Sequence, residues 1–230
     1  MTLKIHELFA RDPKQDGLAN GGQARIRNER TAQAENELKA ELASFVCDGQ
    51  YGTAISRILS EYLKQFEKDR QVAAWISGFY GSGKSHLLKM FGHLWQNTVF
   101  SDGSTARGLV VGLPNEVQAQ LRELDQLAKR CGVRRFAAMG QLPAGSGEFV
   151  RATIASIVLE ASDLPTQIQL ADFVFWLREQ GIEASVRAEI ESAGKKWHDE
   201  LESLYVSPLL ARAVLKAMPG FAATEADARK

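Results

Sequence analysis

The chain has 230 residues, enough for one large domain or two small ones, and its 45% hydrophobic and 24% charged content is that of an ordinary soluble globular protein. Lys plus Arg and Asp plus Glu both number 28, so net charge gives no global pull toward nucleic acid or an anionic membrane. Cys47 and Cys131 form no C-x-x-C pair and have no His cluster beside them, which argues against a zinc site or a disulfide framework and suits a reducing compartment. The N-terminus, Met1 to His6, lacks the apolar core of a signal peptide, and no run of about 18 apolar residues occurs. The expectation is a cytoplasmic protein with no membrane segment.

Residues 11–28 are rich in turn signals, Asp12-Pro13, Asp16-Gly17 and Asn20-Gly21-Gly22. They read as a loop, either a plain lead-in or a segment that folds back onto the base of a nucleotide. Residues 30–46 read as a helix with Ala34, Leu38, Leu42 and Phe45 on one face. Residues 53–66 read as a second, with Thr53 as N-cap and Ile55, Ile58, Leu59, Tyr62, Leu63 and Phe66 as its apolar stripe. Both stripes are core-packing patterns. Glu67-Lys68-Asp69-Arg70 is a solvated connector.

The run Val72 to Ser77 reads as a buried strand. Next comes Gly78-Phe79-Tyr80-Gly81-Ser82-Gly83-Lys84-Ser85, which fits the phosphate-loop pattern G-x-x-x-x-G-K-[ST] at every fixed position. Leu87, Leu88, Phe91, Leu94 and Trp95 follow at helical spacing. The chemistry needs this order. Glycines let backbone N–H groups close around a triphosphate, because a Cβ would block the approach. The following helix adds the positive end of its dipole. Lys84 reaches the β- and γ-phosphates, and the Ser85 hydroxyl ligates Mg²⁺. The expected nucleotide-binding residues are therefore Gly78, Phe79, Tyr80, Gly81, Ser82, Gly83, Lys84, Ser85 and His86, with Ser85 on the metal and ATP with Mg²⁺ as ligands.

Further on, Leu109 to Leu113 reads as a short strand and Pro114 as the N1 residue of a helix over about 115–130, with Val117, Leu121, Leu124 and Leu127 inward. Lys129, Arg130, Arg134 and Arg135 suit a helix C-terminus better than a nucleic-acid patch, since no aromatic residues interleave with them. Phe136 to Met139 reads as another strand. It is followed by Gly140 to Gly147 and a helix over about 148–161, a second glycine loop without the Lys-Ser ending. That loop is a weak anion-site candidate and a better connector. Beyond Pro165 the chain reads as helical, with a stop at Gly181, a Ser207-Pro208 start and a stop at Pro219-Gly220.

A phosphate-loop hydrolase also needs an acidic metal ligand at a strand end and a group to orient water. No apolar-run-then-Asp signal follows residue 85. Glu116, Glu160, Asp163 and Asp172 all sit in helical or proline-flanked contexts. His6, His86, His93 and His198 show no metal-ligand spacing. The catalytic residues stay unknown, and binding is better supported than turnover.

Four stretches resemble the N-terminal ATPase region of the large P-loop proteins of bacterial BREX and Pgl phage-defence systems, the BrxC/PglY family. They are Ile5 to Pro13, Asn20 to Ile26, Trp75 to His86 and Leu204 to Ala211. The resemblance implies an AAA+-like ATPase working with the other subunits of a multi-protein defence complex, and with DNA through that complex. It also implies that the acidic metal-binding segment lies further downstream, so that the 230 residues read as an N-terminal piece or truncated product. The fold expected is α/β: a partial P-loop NTPase core over 71–147, an N-terminal loop and helical segment over 1–70, and a helical region over 148–230. The alternatives are an interaction subunit that binds nucleotide without turnover and, less well supported, a stand-alone P-loop kinase.

Overall fold

The computed structural model describes residues 24, 31–70, 73–133, 135–142, 145–222, 224, 226 and 227. The chain divides into two units, 1–141 and 142–230. Helix accounts for 60% of the described residues and strand for 1%, and these residues form no sheet. This overturns the expected α/β fold, because a P-loop NTPase core is built on a central parallel sheet.

In the first unit, α1 (Ala32–Ser44) starts at Thr31, whose side chain accepts from the Ala34 N–H. The next helix, α2 (Gly49–Leu63), begins four residues earlier than Thr53, with Asp48 as N-cap. Thr53 is an interior residue whose hydroxyl donates to Gly49 O at 2.9 Å. Then come α3 (Lys84–Gln96), the single turn α4 (Ala106–Leu109) and α5 (Asn115–Arg130). Pro114 is the N-cap of α5 rather than its first residue. Leu42, Ile55, Leu59, Leu87, Met90, Leu94, Val117, Leu121 and Leu124 form one core. Each comes from a 3.6-residue stripe, and their removal from water is the main stabilising term. Within that core Lys89 Nζ meets Glu41 Oε2 at 2.5 Å, both side chains about nine-tenths buried.

The three expected strands fail for separate physical reasons. Residues 73–77 join no sheet, and Trp75 is 92% exposed, whereas strands of a parallel sheet are covered on both faces. The 109–113 stretch is broken by the end of α4 and by Gly112 at φ +81°, so Val110 and Leu113 enter the core from a turn. Residues 136–139 lie along α3 instead of along a strand. The Ala137 N–H bonds to Gln96 Oε1 at 3.1 Å, and the Met139 sulfur rests on Gly92, at 2.2 Å from where a Cβ would stand. A short apolar run has the same composition whether it joins a sheet or pads a helix.

The second unit holds α6 (Gly147–Ala161), α7 (Ile168–Glu179), α8 (Glu183–Ser192), α9 (Trp197–Glu202) and α10 (Pro208–Ala217). Leu177, Val186, Ile190, Leu210, Ala213 and Val214 make its main core. Ser207 caps α10 through its side chain, with Pro208 at the first helical position, as the Ser-Pro pair indicates. Gly181, at φ +70°, closes α7. No helix among the described residues is long and apolar enough to cross a membrane.

Candidate phosphate-binding loop

All nine residues singled out from the sequence lie together, Gly78 to Gly83 in the loop and Lys84 to His86 in the first turn of α3. The loop turns at Gly81 and Gly83, both at φ +79°, a backbone state that L side chains rarely adopt. Ser82 N–H bonds to Phe79 O at 3.2 Å and closes the turn. Gly83 is the N-cap of α3 and has no side chain with which to cap it. The first-turn N–H groups of α3 therefore face an end open to an anion.

Lys84 folds back into the loop. Its Nζ donates to Gly78 O at 2.8 Å, Phe79 O at 2.6 Å and Ser82 Oγ at 3.2 Å. All three partners are uncharged. A phosphate oxygen would offer the same ammonium an acceptor of full opposite charge, adding direct Coulomb attraction to a hydrogen bond. Gly78 leaves room for this arrangement, since a Cβ there would stand 3.0 Å from Ser82 Oγ. Ser85 is exposed on the first turn of α3. Phe79 and Tyr80 form the loop's outer rim, 92% and 98% exposed.

Two residues that the sequence did not mark as part of the site support the loop from behind. Tyr51 on α2 donates its hydroxyl to Ser82 O at 2.8 Å, and its oxygen lies 2.2 Å from where a Gly83 Cβ would stand. Phe45, just past α1, stacks with Tyr51 at 6.3 Å between centroids and meets His86 edge-on at 5.6 Å. Burial holds His86 below the ordinary imidazole range; Glu41 pulls the other way and Lys89 adds to the lowering. The same helix carries His93, pushed down to about 4 by burial and by Lys89, with Nδ1 2.9 Å from Thr98 Oγ1. His93 is a packing residue of α3, and His86 packs edge-on against Phe45 at the end of the loop.

A groove of about 500 Å³ starts at Ser85 and runs along α3. Tyr62, Phe91, Trp95, Phe136 and Met139 line it. Ala24 also lines it, the one described residue of the 11–28 segment. The remainder of the 11–28 segment, read as a lead-in or as a contact to the base, and the first family-like stretch with His6, lie outside the described residues.

Elsewhere the chemistry is structural. Arg135 pairs with Asp125 at 2.7 Å, and Asp125 also takes Arg107 at 2.8 Å. Arg130 pairs with Glu67 at 2.6 Å. Among the described residues no group of three or more His, Cys, Asp or Glu side chains is placed to hold a metal ion. An Mg²⁺ on the loop would arrive on the phosphates, with Ser85 Oγ as the protein's own ligand.

No family model, curated protein or solved structure matches the chain.

Proposed function

We propose that the 78–85 loop binds the phosphates of ATP with Mg²⁺, as the nucleotide-binding module of a phage-defence ATPase of the kind its four family-like stretches resemble. The observation that carries this reading is Lys84. The only fully patterned Gly-Lys-Ser segment in the sequence places its ammonium inside a loop that turns on two left-handed glycines at the uncapped start of α3. The loop and the helix end supply the anion-binding N–H groups themselves, although the described residues place no sheet behind them. Lys84 would bond the β- and γ-phosphates, the backbone N–H groups of Gly81 and of 83–85 would surround them, and Ser85 would ligate the metal. Activating water is left to an acidic group beyond these residues, on another chain of the complex or elsewhere on this one.

Calorimetric titration of Mg-ATP, with phosphate release followed in parallel, tests the reading. The parent is expected to bind. Lys84→Ala should bind roughly 100-fold more weakly, the loss of one or two charge-assisted hydrogen bonds. Equal affinity in parent and Lys84→Ala would sink the assignment. Steady release lost in Lys84→Ala would place an acidic metal ligand on this chain.

A second reading, a subunit that binds nucleotide without turnover and works by docking, is favoured by Trp75, Phe79 and Tyr80. These three large apolar side chains beside the loop are all more than nine-tenths exposed. Binding without release, together with nucleotide-dependent association in ultracentrifugation, would select it.

A further inference from the structure

We infer that Tyr51 is a positioning residue for the phosphate loop, setting the direction in which the Gly83 N–H points; this rests on the phosphate-binding reading of residues 78–85. The peptide between Ser82 and Gly83 is planar and trans, so its carbonyl and its N–H point in opposite directions. Tyr51 holds the carbonyl at 2.8 Å from the α2 side. The Gly83 N–H is thereby turned away from α2, onto the face where a phosphate would lie.

The same hydroxyl presses on Gly83. A Cβ at that position would stand 2.2 Å from Tyr51 Oη and 3.4 Å from Cζ, and the backbone there is at φ +79°. Glycine at 83 is thus required twice, by its own backbone angle and by the tyrosine leaning on it. Tyr51 is itself held, stacked on Phe45, which is 3% exposed and touches His86 at the other end of the loop. The bracket Phe45–Tyr51 therefore grips the junction of loop and helix on both sides of Lys84 and Ser85. A free loop with two left-handed glycines would sample many directions for its N–H groups, and fixing them beforehand lowers the ordering cost of binding.

The test uses the full chain and two ligands, Mg-ATP and inorganic tripolyphosphate, each titrated calorimetrically into the parent, Tyr51→Phe and Tyr51→Leu. Thermal unfolding is measured alongside. Removing the hydroxyl alone should weaken both ligands by the same factor, roughly five- to tenfold, the value of about one net hydrogen bond. Tyr51→Leu, which also loses the ring, should weaken both further. The unfolding temperature of Tyr51→Phe should fall by no more than about 2–4 °C, the loss of about one hydrogen bond in the fold, whereas a purely structural role would move that temperature and leave the affinity of the folded protein alone. Unchanged affinity in Tyr51→Phe beside a binding parent overturns the inference and leaves the loop assignment standing. A lowered unfolding temperature with unchanged affinity does the same. A parent that binds neither ligand overturns both. Should Tyr51→Leu fail to fold, the Phe variant alone decides.

Discussion

Two segments of this chain approach a helix through glycines, and they are built differently. The first, Gly78 to Gly83, leads into α3; the second, Gly140 to Gly147, leads into α6. In the second, Ser146 caps the helix with its own side chain, accepting from the Phe149 N–H at 3.5 Å. In the first, the cap position is Gly83, which has no side chain, and the Lys84 ammonium folds back into the loop. One helix start answers its free N–H groups internally; the other leaves them for something negative. The platforms differ as well. α3 buries Leu87, Lys89, Met90, Gly92 and Leu94, whereas none of the residues of α6 is fully buried. Glycine content alone makes the two segments look related. Capping chemistry and burial separate a candidate anion site from a connector.

The sharpest way to break this contrast is to remove what anchors α3. Lys89→Met leaves Glu41 in the core without its partner, and should destabilise the first unit by about 3–5 kcal/mol in urea unfolding at neutral pH. Lys89→Met together with Glu41→Leu should recover most of that loss. A small effect in the single variant would mean that water reaches the pair.

A somewhat smaller effect comes from His93. Its imidazole lies at about 4 in the fold because of burial and Lys89, against an ordinary 6.5. A value depressed by folding means that the folded state resists the proton. The associated stability is whole above about pH 6.5 and drains as pH falls through 4. It amounts to about 3 kcal/mol. His93→Gln should lose this part of the pH dependence between those limits, read as the difference between parent and variant unfolding curves. Superimposable slopes would place the acid sensitivity elsewhere.

The smallest effect tests the second loop. Ser146→Ala should cost about 1 kcal/mol through the lost cap and leave Mg-ATP affinity unchanged. A change in affinity would make that segment part of the site after all.

The sequence showed its helices through spacing and punctuation. The stripes of α1, α3 and α5 place Leu42, Leu87, Leu94, Val117, Leu121 and Leu124 in the core where the 3.6-residue period puts them. The Ser207-Pro208 start and the Gly181 stop were equally plain, because each follows from a local backbone requirement. The strands were not legible in the same sense. A strand exists only through the partner that takes its hydrogen bonds, and nothing within Ala73 to Ser77 or Phe136 to Met139 tells whether that partner is present. Thr53 misled for a related reason. Its hydroxyl suits a cap, but it serves equally well bonded to a carbonyl one turn back, with Asp48 taking the cap position. At the loop, the pattern marked Gly78 to Ser85 directly. Tyr51 stayed hidden, since its contact with Ser82 spans 31 residues and leaves no local trace.

Trp75 stands almost wholly in water three residues ahead of Gly78, while Trp95, Trp176 and Trp197 are each at least partly buried. The indole chromophore emits further to the red when water can relax around it. The long-wavelength edge of this protein's emission therefore belongs mainly to the approach to the loop, and the shorter wavelengths to its packed interiors. A dissolved quencher such as iodide would reach the first and largely spare the others. The chain thus carries its own optical label beside the loop.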